Sequence, residues 1–243
     1  MQIIQRFITN NDNYRTNRQI TPRGIMLHSV GVPQPDPEIF ASIFNTPRPN
    51  GRQVGVHAFL GSDGRVLQTL PWNHRAWHCG GSGNDTHIGI EMTEPNTIRY
   101  TSGANWNDNN PDRTRQFVLA TYKTAVQLFA NLCKMFNLNP LTDGVILSHS
   151  EGHRRGIASN HADVEHIWNR FGLTMNQFRK DVQAAMGQQL ERATVYLDGK
   201  LVGEGILHEG RTFLPVRALE NTRYVVQSWD GATRTVHLRK VSC

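Results

Sequence analysis

Cysteine is scarce. Cys79, Cys133 and Cys243 are the only three in 243 residues, too few for a disulfide scaffold. None belongs to a CxxC pair, so no thiolate zinc knuckle is expected and all three are read as unpaired. Long apolar runs are missing too: no segment approaches the roughly 20 residues of a membrane-spanning helix. The opening MQIIQRFITNNDNY lacks the basic start and apolar stretch of a secretory leader. The chain is therefore expected to fold in the cytoplasm and to need separate release to act outside. Lys and Arg are scattered rather than clustered among stacking aromatics, which argues against a nucleic-acid binder. What is present is ordinary for a globular chain: 38% hydrophobic and 19% charged residues. A net charge of +6 favours an anionic partner without choosing one.

The chain divides by pattern. Residues 24–30 (GIMLHSV) read as a buried strand reaching His28, followed by a proline-rich loop over 31–37. Apolar spacing with Pro37 and Glu38 in the first turn predicts a helix over 37–44. Residues 54–60 and 65–70 read as strands joined by a Gly61-Ser-Asp-Gly turn, and 87–92 (HIGIEM) as another strand carrying Glu91. The Asn-, Asp- and Gly-rich stretch 96–112 reads as loop. Helices are expected over 112–136 and 174–187, with a strand at 145–148 and His149 just beyond it. Composition then shifts. Residues 1–187 read as one domain, 188–192 as a linker, and 193–243 as a small β-rich module, near the lower size limit for independent folding.

His28 and His149 each follow a short apolar run, and Glu91 lies on another. Strand ends present side chains to clefts, and two histidines with carboxylates suit a metal-assisted hydrolase. The remaining histidines (eleven in all) include His57 and His87, read as structural, and His166, which with Trp168 is read as closing the core.

Three segments, in order, carry a resemblance: 54–68 (VGVHAFLGSDGRVLQ), 75–80 (RAWHCG) and 87–92 (HIGIEM). With a late His…Asp…Trp, they resemble the type 2 N-acetylmuramoyl-L-alanine amidase family over roughly residues 20–185. That family includes phage endolysins and the peptidoglycan recognition proteins. The resemblance implies an α/β fold with a central mixed β-sheet flanked by helices, a Zn2+ ion, and hydrolysis of the amide joining N-acetylmuramic acid to L-alanine of peptidoglycan. It makes His28 and His149 zinc ligands and Glu91 the general base. The third ligand best matches Asp163, ahead of Trp168, with His161 and His153 as rivals. Two departures leave that open: the spacing from His149 is long, and Val164 stands where proline is common. His161 lies where several relatives carry a lysine facing the reacting carbonyl. Trp77 and His78 are expected to line the substrate cleft, and Arg154 and Arg155 to grip a stem-peptide carboxylate.

The C-terminal segment resembles the small repeats found beside copper amine oxidases and in wall-associated proteins. It is read as a wall-attachment or dimerisation module, in which Arg211, Arg217, Arg223, Arg234, Arg239 and Lys240 meet anionic wall polymer. The expectation is a wall-lysing enzyme released by a holin. The alternative is a non-catalytic peptidoglycan-binding protein of the same fold.

Overall fold

The computed structural model describes residues 1–187, 191–197, 199–208, 211–213, 224–230 and 235–240. They fall into two compact units, Met1–Met186 and Gly187–Cys243.

The larger unit is built on β1 (Gln2–Gln5), α1 (Asp12–Arg15), β2 (Gly24–Ser29), α2 (Pro37–Phe44), β3 (Ala58–Leu60), β4 (Arg65–Gln68) and β5 (His87–Met92). A hairpin of β6 (Ile98–Ser102) and β7 (Asn105–Asp108) follows. Then come α3 (Pro111–Met135), β8 (Ile146–Ser148), α4 (His149–Arg154), α5 (Glu165–Trp168) and α6 (Met175–Gly187). Six strands form one mixed sheet in the order β1-β4-β3-β5-β2-β8. Only the β3–β4 pair is antiparallel. This is an α/β fold with a central sheet flanked by helices, as the sequence implied.

Strand alternation gives the sheet two unlike faces. Ile25, Leu27, Ile88, Ile90 and Ile146 point to one, where they join Val118, Leu128, Phe129 and Cys133 of α3 and Phe178 and Val182 of α6 in the main core. Each large side chain fully buried there contributes about 1.5–3 kcal/mol. On the other face, Met26 meets Cys79 and Leu147, and Phe59 packs on Phe40 of α2. The same face also carries His28, Gly89 and Glu91.

Three local expectations differ. The strand expected over 54–60 is limited to Ala58–Leu60, because the His57 side chain caps the chain there: its Nδ1 accepts from Gly89 N–H at 3.0 Å and its Nε2 donates to the His74 carbonyl at 2.7 Å. The stretch read as loop over 96–112 holds the β6–β7 hairpin, with Ile98 and Trp106 buried in the core. The edge strand β1 also went unread; it pairs along its whole length with β4. Cys79 and Cys133 are free and buried. No helix among the described residues is long and apolar enough to cross a membrane.

The smaller unit holds a five-stranded sheet in the order β11-β10-β9-β13-β12. Its strands are β9 (Glu191–Leu197), β10 (Lys200–His208), β11 (Arg211–Phe213), β12 (Tyr224–Asp230) and β13 (Thr235–Lys240). Val195 and Leu238 are buried within it. β9 starts inside the stretch expected as linker, where Glu191 pairs with Leu207. Residues 188–190, Arg217, Arg223, Arg234 and Cys243 lie outside the described residues.

Candidate metal centre

The site begins with strand register. His28 and Glu91 are direct neighbours on parallel β2 and β5, so the pleat sends both to the same face. One strand to the other side, Ser148 pairs with Leu27, which brings His149 level with His28. Ser148 also starts α4 with a capping box: its Oγ accepts from Glu151 N–H at 3.1 Å, and the Glu151 carboxylate accepts from Ser148 N–H at 3.1 Å. His149 is thereby fixed as the first residue of the helix. Asp163 enters from the loop before α5, where its backbone carbonyl accepts from Ser150 N–H at 3.1 Å.

Three ligand atoms converge. His28 Nδ1 lies 2.9 Å from His149 Nδ1, and Asp163 Oδ2 lies 3.3 Å from the first and 3.5 Å from the second. A tetrahedral zinc with bonds of 2.0–2.1 Å has ligand–ligand edges of about 3.3–3.4 Å, which the two edges to Asp163 match and the shorter 2.9 Å edge between the imidazoles reaches with a small opening of the pair. The protonation pattern fits too. Burial lowers the pKa of His28 despite its contact with Asp163 and keeps it neutral. Burial alone would raise Asp163, but the two imidazoles that face its carboxylate at 3.3 and 3.5 Å outweigh it and hold the carboxyl well below its usual range. Neutral imidazole and anionic carboxylate are the forms that bind a metal.

His28 is oriented from behind. His78 Nε2 is 3.1 Å from the His87 carbonyl, which can only accept, so that nitrogen carries the proton. Burial, then the neighbouring histidines, holds His78 well below the usual imidazole range, so its Nδ1 accepts from His28 Nε2 at 2.9 Å. The proton of His28 thus sits on Nε2 and the Nδ1 lone pair faces the centre. The His78 ring has room only because residue 89 is glycine: a Cβ there would lie 2.3 Å from His78 Cγ.

Glu91 completes the cleft. Its Oε2 is buried and has no hydrogen-bond partner. Burial, then the charges of Asp163 and Glu94, raises its pKa well above the ordinary glutamate value. The cleft encloses about 650 Å³ and is lined by Glu91, Trp77, His78, His161 and the three converging residues, among others. His161 is exposed, its ring 4.5 Å from that of His149. His153, the other rival ligand, faces away toward the Ala158 carbonyl. Trp77 is half-buried beneath the Arg75 guanidinium, which stands 4.0 Å from its ring centroid. Arg154 and Arg155 are not brought into the cleft: Arg155 pairs with Asp143, and Arg154 with Glu165 and Ser150.

Two cleft features escaped sequence reading. Tyr100 Oη donates to Glu94 Oε2 at 2.8 Å and meets His166 Nε2 at 2.7 Å. Glu94 is buried, and burial raises its pKa to about 7. The only available signal was a second glutamate three residues beyond Glu91; Tyr100 lay in a stretch whose composition reads as loop. Arg52 and Gln53 also line the cleft, from a segment without periodicity.

Fold and site together define an α/β protein whose cleft can hold a metal beside a carboxylate. Residues 17–166 match the N-acetylmuramoyl-L-alanine amidase family, and the chain belongs to it. Among curated proteins it is similar to the 1,6-anhydro-N-acetylmuramyl-L-alanine amidase AmpD of Citrobacter freundii, 30% identical over 99 residues, 33% of this chain and 53% of that protein. The AmpD of Escherichia coli K12 matches at 30% over 100 residues, 33% of this chain and 55% of that protein. The chain spans about half the length of the curated relatives it matches. Among solved structures, the Staphylococcus aureus hydrolase AmiA aligns with a TM-score of 0.58 at 18% identity, covering 76% of this chain and 83% of that one. The catalytic domain of XlyA aligns at 0.53 and 20% identity, covering 75% and 99%. At these identities the likeness speaks for the fold.

Proposed function

We propose that this chain is a zinc-dependent N-acetylmuramoyl-L-alanine amidase that cleaves the amide between the lactyl group of N-acetylmuramic acid and L-alanine, and so degrades bacterial cell wall. The observation that carries this reading is the triangle of His28 Nδ1, His149 Nδ1 and Asp163 Oδ2, with the unpartnered carboxylate oxygen of Glu91 in the same cleft. His28, His149 and Asp163 would hold the ion. Zinc, when bound, polarises the amide carbonyl and lowers the pKa of a bound water toward neutrality. Glu91 takes a proton from the attacking water and returns it to the leaving amine, a role suited to a carboxyl with a raised pKa. His161, exposed on the cleft wall, donates toward the oxygen on which negative charge develops. Trp77 forms part of the surface on which the sugar or stem peptide lies.

The net charge of +6 favours residence on an anionic wall. We infer that the C-terminal unit assists by binding wall polymer or a second copy of the chain, and that the enzyme reaches its substrate after release from the cell that makes it. The test is zinc content by elemental analysis of the wild type, Asp163→Ala and His161→Ala, with release of peptides bearing N-terminal alanine from purified wall. One zinc per wild-type chain, lost in Asp163→Ala and kept in His161→Ala, is expected. A wild type without zinc that binds wall and releases no peptide makes it a binding protein instead.

A further inference from the structure

We infer that Ser159 is a positioning residue that fixes His149 and His161 at once, joining the metal site to the cleft wall through one hydroxyl. This rests on the reading of His149 as a zinc ligand. Ser159 Oγ lies 3.2 Å from His149 Nε2, 3.0 Å from His161 Nδ1 and 3.1 Å from the Cys79 carbonyl. The serine backbone is pinned as well, since its N–H donates to the same carbonyl at 2.8 Å. Gly80 packs closely on the hydroxyl: a Cβ at residue 80 would lie 2.9 Å from Ser159 Oγ, and Gly80 has φ +70°.

A hydroxyl has one proton and two lone pairs, and a carbonyl only accepts. If the proton goes to Cys79 O, both imidazole nitrogens must donate to Oγ. If it goes to His161 Nδ1, His149 Nε2 still donates, and His161 presents Nε2–H to the cleft. Either way the proton of His149 is held on Nε2, and its Nδ1 lone pair is left for the ion beside His28 Nδ1 and Asp163 Oδ2. The opposite arrangement, with the hydroxyl donating to His149 Nε2, places a proton on His149 Nδ1 and closes the ligand position. Ser159 therefore does for His149 what His78 does for His28, and it also sets the rotation of the His161 ring.

Ser159→Ala in the full chain tests this through three readouts: zinc affinity by competition with a chelating dye, kcat and KM on a muramyl peptide, and the melting temperature of the metal-free chain. Zinc affinity should fall about tenfold or more, as for other residues that hold a metal ligand from behind. The value of kcat should fall with KM nearly unchanged, the metal-free melting temperature should not move, and Ser159→Thr should restore part of both losses. In a His161→Ala background, Ser159→Ala should still weaken zinc but should not lower a kcat measured at saturating zinc any further. Unchanged zinc affinity and kcat in Ser159→Ala would overturn the assignment, as would losses that track a lower metal-free melting temperature. A wild type that binds no zinc would remove the amidase reading itself, and this inference with it.

Discussion

The two faces of the central sheet are made from the same strands and behave as different materials. On β2 and β5 one set of alternate residues, Ile25, Leu27, Ile88 and Ile90, is sealed against α3 and α6. On the other set, Met26 packs on Cys79 and Leu147 and Gly89 makes room for His78, while His28 and Glu91 line the cleft, so there the sheet contributes nitrogen, oxygen and space. The apolar face tolerates changes of shape at a cost in stability. The cleft face depends on the position of single atoms. The difference shows that stability and chemistry are separable here by a single step in strand register.

That separation can be broken by substitution. The largest effect belongs to His28→Ala, which removes one of three converging ligands: zinc should be lost from the purified protein and peptide release should vanish, while circular dichroism stays native. Glu91→Gln should keep zinc and lose about 10²- to 10⁴-fold in kcat, the usual range for general acid–base groups. A near-normal rate would take the proton-transfer role away from Glu91. On the opposite face, Phe129→Ala should lower unfolding free energy by about 3–5 kcal/mol, measured by denaturant titration, with zinc stoichiometry unchanged in the folded fraction. Loss of zinc in that variant would mean the faces are coupled.

A pH experiment sharpens the comparison. His57 is fully buried with both ring nitrogens engaged, and burial lowers its pKa to about 4 from 6.5. The unfolded chain takes up a proton near pH 6.5 that the fold refuses until about pH 4. Its contribution is therefore complete above pH 6.5 and shrinks by about 3 kcal/mol as the pH falls toward 4. Stability measured from pH 7 to 4.5 should decline less steeply in His57→Gln. The smallest effect is expected from Arg155→Ala: with Asp143 as its partner outside the cleft, kcat and KM should both match the wild type. A raised KM would return Arg155 to substrate binding.

How much was legible follows from where each residue sits. His28, Glu91 and His149 stood out because each rides on or follows a short apolar run, and such runs announce strands whose ends open onto a cleft; their roles came from the family resemblance. The two long helices were legible from spacing. Asp163 was harder, because it comes from an irregular loop with no period to mark it, and only the family resemblance ranked it above His161 and His153. Arg154 and Arg155 looked free because nothing local shows that Glu165 and Asp143 fold back onto them. Tyr100 and the β6–β7 hairpin were hidden by a composition that usually means loop; burial of Ile98 and Trp106 overrides it. Ser159 gave no signal, since a hydroxyl in a polar loop is commonplace until its three neighbours are known.

The capping box of Ser148 and Glu151 has a consequence beyond the helix it starts. Because His149 is the first residue after the cap, the cap works as a ruler for the candidate metal site: wherever the helix starts, His149 is placed. Arg179 of α6 grips Glu151, so the ruler is anchored in the domain's last helix. A strand-end serine, ordinarily counted as a contribution to helix stability, thereby sets a distance within the cluster of His28, His149 and Asp163. Its removal should appear as imprecision in zinc geometry before it appears as unfolding.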